Sequence, residues 1–317
     1  MDTYPISSNS LEKFYHINGN YFGKQYKEQL SDYPVWEDAS HADQWLVYPE
    51  NFGPKMSIDE TSLSDGELYT VVTNKDKHGQ KGALAAIIAG TKAEVVRDAL
   101  DNVPEEARDR VQEITMDLSP SMRNIAIYEF RNAKRVIDRF HIQKLACDAI
   151  QEMRIKHRWE ALDAEHDRKL WLKETGEDLP AEVFANGDTR PQLLARSRYL
   201  LFKSAEKWTQ SQHARAKILF DQYPDLKDAY WLTDGLRKVF SNTPRRSLAA
   251  TKLAKWFAAV EASGFKSFKV IAQTFFDNRS TNASAESFNC KIKNFRAQLR
   301  GVSDVKYFLF RLQKIYA

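Results

Sequence analysis

No stretch of this 317-residue chain approaches the roughly 18 consecutive apolar residues that a membrane helix requires. Its start, from Met1 to Tyr21, is polar and lacks the apolar stretch of a secretion signal, so the cytoplasm is the expected compartment. Cysteine is nearly absent. Cys147 and Cys290 stand far apart and outside any C-x-x-C spacing, which argues against both a disulfide framework and a cysteine zinc site. A strong charge excess is missing too: 47 Lys and Arg against 43 Asp and Glu leave +4, too little to identify a polyanionic partner alone. No internal repeat or low-complexity tract is visible.

What is present is enough apolar material for a sizeable core. Hydrophobic residues make up 43%, with 18 Phe, 13 Tyr and 7 Trp, while 28% charge implies a water-soluble surface. The length suits two domains, or one domain carrying a large insertion, and the pattern favours the insertion. Basic residues crowd toward the end: Lys291, Lys293, Arg296, Arg300, Lys306, Arg311 and Lys314 stand among few acids. Phosphate backbones attract such an excess, although a solvated helix face would read the same way.

Residues 1–54 are aromatic and mixed in charge without clean periodicity, and are read as an unassigned lead-in. From Lys55 the pattern sharpens. Met56 to Thr61 and Glu67 to Thr73 read as strands joined by a turn at Ser64, Asp65 and Gly66. A second turn, Asn74 to Gly79, leads to a third strand within Gly82 to Gly90. A helix follows from Thr91 to about Leu100, with Thr91 as its cap, and Pro104 opens another helical turn. Val111 to Asp117 reads as a fourth strand, Ser119 and Pro120 open a helix to about Asn132, and Lys134 to Asp138 is a fifth strand before helix from Phe140.

Three strands, helix, strand, helix, strand, helix is the order of the ribonuclease-H-like fold, with a mixed five-stranded sheet flanked by helices. Its first and fourth strands are neighbours, so Asp59 and Asp117, 58 positions apart, are expected to face one point. Strand alternation puts Glu60 with Ile58 on the opposite face. The expected core comprises residues 55–150, interrupted by a helical insertion over 151–273 and completed by 274–317. Within the insertion Trp159, Trp171, Trp208, Trp231 and Trp256 read as core side chains of a helical layer rather than base-stacking platforms, and Thr175 to Arg190 reads as a loop.

Phosphodiester cleavage needs an activated water or hydroxyl, charge neutralisation on the phosphate and a stabilised leaving oxygen. Two hard divalent ions held by a few carboxylates supply all three, so convergent acids are the pattern to seek. Glu286 supplies a third acid, after possible caps at Asn282 or Ser284. At about 3.6 residues per turn, Glu286, Asn289, Lys293, Arg296 and Arg300 fall near one helix face, and Phe288, Ile292, Phe295 and Leu299 near another.

Ile58-Asp59-Glu60, Met116-Asp117-Leu118-Ser119, Asp138-Arg139-Phe140-His141 and the N-x-x-x-E-x-x-N-x-x-x-K pattern from Asn282 through Glu286 and Asn289 to Lys293 resemble, in order and spacing, the acidic-triad (DDE) insertion-sequence transposases of the ISL-three family. The tetrapeptide and the final helix pattern are the more specific parts. The resemblance runs from about Lys55 to the C-terminus. It implies a ribonuclease-H-like core in which Asp59, Asp117 and Glu286 bind two Mg²⁺ or Mn²⁺ ions. Water would nick the transposon ends, and the freed 3′-hydroxyl would attack target DNA. Asp138, His141 and Asn289 would support the metals, and Lys293, Arg296 and Arg300 would contact phosphates, with Lys291 off that face. The partners implied are double-stranded DNA, at transposon ends and target, and a second copy when assembled on DNA, in a cytoplasmic, nucleoid-associated setting.

The chain departs from the family in showing neither its N-terminal cysteine-rich zinc segment nor its helix-turn-helix. End recognition would then come from a separate DNA-binding polypeptide, a lost segment or the helical insertion. Two other readings stay open: a ribonuclease-H-like nuclease without strand transfer, and a non-catalytic DNA-binding derivative of a transposase.

Overall fold

The computed structural model describes residues 1–63, 66–177, 180–241, 246–277 and 285–317, with the side chains of residues 241, 246, 274–277 and 285–287 left aside. The described chain divides into two compact units, one of residues 1–138 and 278–317, the other of residues 139–277.

The first unit is built on a mixed sheet of six strands: β1 (Trp45–Val47), β2 (Lys55–Ser62), β3 (Leu68–Asn74), β4 (Leu84–Ala89), β5 (Glu113–Met116) and β6 (Lys134–Ile137). Their order across the sheet is β1-β4-β3-β2-β5-β6. The expected count of five strands is therefore corrected to six. β1 comes from the lead-in, pairs antiparallel with β4, and is only three residues long, too short to show a period. β2, β3 and β4 form the antiparallel meander, while β5 and β6 run parallel to β2. The turn expected at Ser64 and Asp65 lies outside the described residues. The turn after β3 places His78 and Gly79 at positive φ.

Two short helices, α1 (Ser8–Tyr15) and α2 (Gly19–Gln25), precede the sheet. Ser7 and Asn18 cap them through their side-chain oxygens, local chemistry that gives this segment order without long periodicity. Helices α3 (Ala93–Leu100), α4 (Glu105–Asp109) and α5 (Pro120–Glu129) follow β4 and β5. The cap of α3 is Lys92, one residue past the expected Thr91; Ser119 caps α5 as expected, accepting from Met122 N–H at 3.1 Å. These helices cover one face of the sheet, burying Val96, Leu100, Met122, Ile125 and Phe130 against Met56, Ile58, Val72, Ile114 and Met116. Glu129, buried at the end of α5, accepts from Arg97 at 2.9 Å and from Arg108, tying α3 and α4 to α5.

The second unit is helical: α6 (Arg139–Thr175), α7 (Arg190–Arg196), α8 (Arg198–Phe202), α9 (Gln210–Gln222), α10 (Pro224–Ser241), α11 (Arg246–Ser263) and α12 (Lys266–Asp277). Asp188 anchors the segment before α7. Its buried carboxylate accepts from Arg215 at 3.0 Å and from Arg196. Burial pushes this carboxyl upward, but the two guanidinium groups outweigh it and hold it below the usual range. Among the tryptophans, Trp256 is buried and Trp208 packs with Phe220 and Tyr230. Trp159, Trp171 and Trp231 are exposed, so the expectation that all five are core side chains is corrected for these three.

The first unit is completed by α13 (Ala285–Gln298) and α14 (Val305–Tyr316). They cover the other face of the sheet, where Phe288, Ile292, Phe295, Phe308, Leu309 and Leu312 pack on Leu46, Tyr69, Val71, Leu84 and Ile87. The sheet is thus sandwiched between helical layers, and the odd-numbered residues of β2 face the α13 side. No described helix is long and apolar enough to cross a membrane.

Candidate active site

Parallel pairing in register is what gathers the acids. β2 pairs β5 as Met56 with Ile114 and Ser57 with Thr115. β5 pairs β6 as Thr115 with Val136 and Met116 with Ile137. Continued to the strand ends, the same registers align Asp59, Asp117 and Asp138 in one row. The Asp138 N–H donates to Met116 O at 2.9 Å, which carries the second register as far as that row. Neighbouring strands lie about 4.8 Å apart, and residues in register on parallel strands share a face. Ile58, on the opposite face, is fully buried under α3 and α5. Asp59 therefore faces the α13 layer.

Asp59 is half-buried and held from two sides. Its Oδ1 accepts from the Glu60 N–H at 2.8 Å, and its Oδ2 accepts from Asn289 Nδ2 at 2.6 Å. The same Asn289 nitrogen donates to Glu60 O at 3.2 Å, so one buried amide pins α13 to the end of β2. Asp117 is also half-buried and accepts from the Ser119 N–H at 2.8 Å, an Asx turn that leads into the Ser119 cap of α5. Asp138 is buried, 1% exposed. Glu286 belongs to the first turn of α13, one turn before Asn289, and its side chain lies outside the described residues, as do Asn282 and Ser284. His141 lies in α6 of the second unit, its ring edge-on to Phe140.

The basic residues divide. Lys293 is exposed on α13. Arg296 is half-buried and donates to Ser62 O at 3.1 Å, reaching the end of β2. Lys291 donates to His78 O at 3.1 Å and Gly79 O at 2.9 Å, clamping the turn after β3. Arg300 does not share the α13 face, a correction to the helical-wheel expectation. The helix ends at Gln298, and Arg300 takes a left-handed conformation before Gly301, whose N–H closes on Arg296 O at 3.1 Å.

Below the acid row on the same face runs a polar column that sequence reasoning missed. Ser57 Oγ and Thr73 Oγ1 share a hydrogen bond of 2.6 Å. The buried Lys75 ammonium donates to Glu113 Oε1 at 2.7 Å and Thr115 Oγ1 at 2.9 Å. Ser57 and Thr115 stand two residues before Asp59 and Asp117, and that polar i−2 pattern was the available signal. Lys75→Met keeps the length of the side chain but removes the ammonium from which Thr115 Oγ1 and Glu113 Oε1 accept. Urea denaturation is expected to show a loss of about 1–3 kcal/mol, the scale of hydrogen bonds to a charged group; an unchanged midpoint would show that the column carries no stability.

Among the described residues, no group of three or more His, Cys, Asp or Glu is gathered closely enough to hold a metal ion. The donor chemistry that is described, carboxylate oxygens on adjacent strand ends, is the chemistry that hard divalent cations take.

The family model for ISL3-type DDE transposases, described as Transposase, matches residues 56–312. The chain is 24% identical over 252 residues to the transposase for insertion sequence element IS1557 of Mycobacterium tuberculosis, covering 75% of this chain and 54% of that protein. It is 22% identical over 272 residues to the transposase for insertion sequence element IS1001 of Bordetella parapertussis, covering 82% and 60% respectively. The chain thus spans little more than half the length of the curated relatives it matches. A solved chain of the Drosophila P element transposase strand transfer complex aligns with a TM-score of 0.40 and 10% identity, over 97% of this chain and 91% of that one. With its family match running from the first residues of β2 into α14, this protein belongs to the ISL3-type DDE transposase family.

Proposed function

We propose that this chain is the catalytic part of a DNA transposase, with a ribonuclease-H-like core that cleaves phosphodiester bonds at transposon ends and transfers the freed 3′-hydroxyl to target DNA. The observation that carries the reading is the register of β2 and β5, which aligns Asp59 with Asp117, together with the Asn289 bond that brings α13 to Asp59. The sequence pattern adds Glu286 as the third carboxylate. Asp59, Asp117 and Glu286 would hold two Mg²⁺ or Mn²⁺ ions. Such ions, when bound, neutralise phosphate charge and lower the pKa of the attacking water or hydroxyl.

The chain's own groups do the positioning. Asn289 fixes the rotamer of Asp59, and the Asx turn at Ser119 fixes that of Asp117. Asp138, next in the row, and His141, which follows it in the tetrapeptide, are assigned supporting roles. Lys293, Arg296 and Arg300 are assigned to DNA phosphates, Lys293 as a solvent-facing point charge and the arginines near the end of β2 and just past α13. Joining two transposon ends calls for two copies assembled on DNA. The setting proposed is the cytoplasm, at the nucleoid.

The test supplies pre-nicked end duplexes and a supercoiled target with Mg²⁺ or Mn²⁺, comparing the wild type with Glu286→Gln. Strand-transfer products from the wild type, abolished in the folded variant, would support the reading. Cleavage without joining would favour a nuclease of the same fold, and inertness of the wild type with ends and a candidate partner present would favour a non-catalytic derivative.

A further inference from the structure

In the first unit, the segment between α2 and β1, the turn into β2 and α14 border a cleft of about 710 Å³. Trp36 and Phe310 meet edge-on in its wall, ring centroids 5.5 Å apart. The Lys314 ammonium, paired with Asp32, lies 5.6 Å from the Phe310 ring, so the wall already holds one cation against an aromatic face. Outside that pair, the charged groups of the lining are Glu37, Asp38 and Glu50 against Lys81, a negative balance. Asp38 Oδ2 accepts from Gln313 Nε2 at 3.3 Å, and its Oδ1 lies 3.8 Å from His41 Nε2. Three polar atoms of the wall are buried without a hydrogen-bond partner among the described residues: Tyr48 Oη, Gln313 Oε1 and Trp36 Nε1. Buried polar groups are ordinarily paired, so three orphans around one cleft point to a missing occupant. Tyr48 is 6% exposed, and burial, then the charges of Asp38 and Glu50, push its phenol upward. Its hydroxyl therefore keeps its proton and stands in the field of two cleft carboxylates.

We propose that this cleft is a docking site for an arginine-bearing segment of a protein partner, its guanidinium lodged among Asp38, Glu50, Tyr48 and Gln313 and one of its backbone carbonyls accepting from the Trp36 indole. The balance of donors and acceptors selects the occupant. Tyr48 Oη, Gln313 Oε1 and the carboxylates accept, and a guanidinium brings five donors and no acceptor. Its flat, weakly hydrated face suits a wall of aromatic rings better than the compact ammonium of lysine does. The Trp36 N–H can only donate, so it calls for an acceptor that a metal ion or a free polyamine lacks and a peptide backbone supplies. The volume lies within the range of small-ligand sites. The negative balance of the lining repels DNA phosphates, so this inference goes beyond the proposed transposase chemistry and stands independently of it.

The experiment titrates the full chain with a capped pentapeptide bearing a central arginine, and with its citrulline counterpart, which keeps the shape and loses the charge. Binding is followed by the nuclear magnetic resonance signal of the Trp36 indole N–H, assigned with Trp36→Phe. The arginine peptide is expected to move that signal and to bind about tenfold more tightly than the citrulline peptide, the scale of one hydrogen bond to a charged group. Tyr48→Phe and Glu50→Gln should each weaken the arginine peptide by a similar factor. Tyr48→Phe should also melt no lower than the wild type, because the hydroxyl it removes has no internal partner to lose. Absence of arginine-peptide binding at millimolar concentration, equal affinity for the citrulline peptide, or wild-type affinity in both variants would overturn the proposal. So would a marked fall in the melting temperature of Tyr48→Phe, which would show the hydroxyl to be paired within the fold. Spermidine or Mg²⁺ moving the indole signal and displacing the peptide would replace it with a small-cation site. A change in molecular mass of Glu50→Lys by light scattering, with no peptide bound by the wild type, would replace it with a contact between two copies.

Discussion

Replacing Asp59 with Asn is expected to lower metal-dependent DNA cleavage by ~10³-fold or more, close to 4 kcal/mol of barrier at about 1.4 kcal/mol per tenfold, while the protein stays folded. The substitution changes charge but hardly changes shape. The side-chain oxygen of the introduced asparagine can still accept the Glu60 N–H, which Asp59 accepts at 2.8 Å. Its amide nitrogen would then face Asn289 Nδ2, which now donates to Asp59 Oδ2 at 2.6 Å, and two donors cannot bond. Asn289 must turn its oxygen inward and give up the bond to Glu60 O, a change worth about 1 kcal/mol. A hard cation loses more, because a neutral amide oxygen replaces a carboxylate. Rates of plasmid nicking at fixed Mn²⁺, with a Mn²⁺ titration read by electron paramagnetic resonance, separate these effects. Glu60→Gln is the matched control: strand alternation turns Glu60 to the other face, and its rate is expected within about threefold of wild type. Near-normal cleavage by Asp59→Asn would remove Asp59 from the proposed set of metal ligands.

The β2 and β5 segments were legible because each alternates strictly beside a fully buried partner face: Met56 and Ile58 on one, Ile114 and Met116 on the other. Such alternation leaves one register, and one register puts Asp59 level with Asp117. β1 was not legible. Three residues hold no period, and its place in the sheet is set by β4 and by tertiary contacts that a local pattern does not encode. Arg300 was misplaced for a related reason. A helical wheel assumes a helix, and the turn at Arg300 and Gly301 ends α13 two residues earlier, a stop that Gly301 signalled and the count of charges obscured.

At the candidate site, the acids were legible as residue types in order, and the groups that orient them were less so. Asn289 stood out only as a motif position; its Nδ2 bond to Asp59 is a contact across 230 residues that requires α13 to lie on the β2 face. Lys75 was hidden in a charged turn, Asn74 to Gly79, where a lysine ordinarily faces water. Its burial depends on Thr115 and Glu113 of β5, strands away in the chain. The exposed tryptophans were misjudged because composition cannot tell a helix face that packs from one that does not.

Arg311→Met is expected to destabilise the first unit by about 3 kcal/mol, the scale of charged hydrogen bonds lost in a buried setting. Arg311 is 1% exposed on α14, and its Nη2 donates to Met1 O at 2.7 Å, Tyr4 O at 3.3 Å and Ile6 O at 3.2 Å. Its guanidinium also lies 5.6 Å from the Tyr26 ring and 5.3 Å from the Phe295 ring. Methionine fills much of the volume but leaves three carbonyls without this donor and two aromatic faces without their cation. At roughly 2–4 °C per kcal/mol for a unit of this size, the melting transition should fall by roughly 6–12 °C in calorimetry. Arg311→Lys is the informative companion. An ammonium carries three donors for three carbonyls, yet it lacks the flat face that stacks between rings, so about half the loss should return. Full recovery by Lys would assign the whole effect to the carbonyls; none would assign it to ring stacking. Phe295 shares α13 with Asn289, two turns along, so the same calorimetry run on Asn289→Ala tells whether the N-terminal segment and the Asp59 contact stabilise that helix independently, in which case the two losses add within about 0.5 kcal/mol.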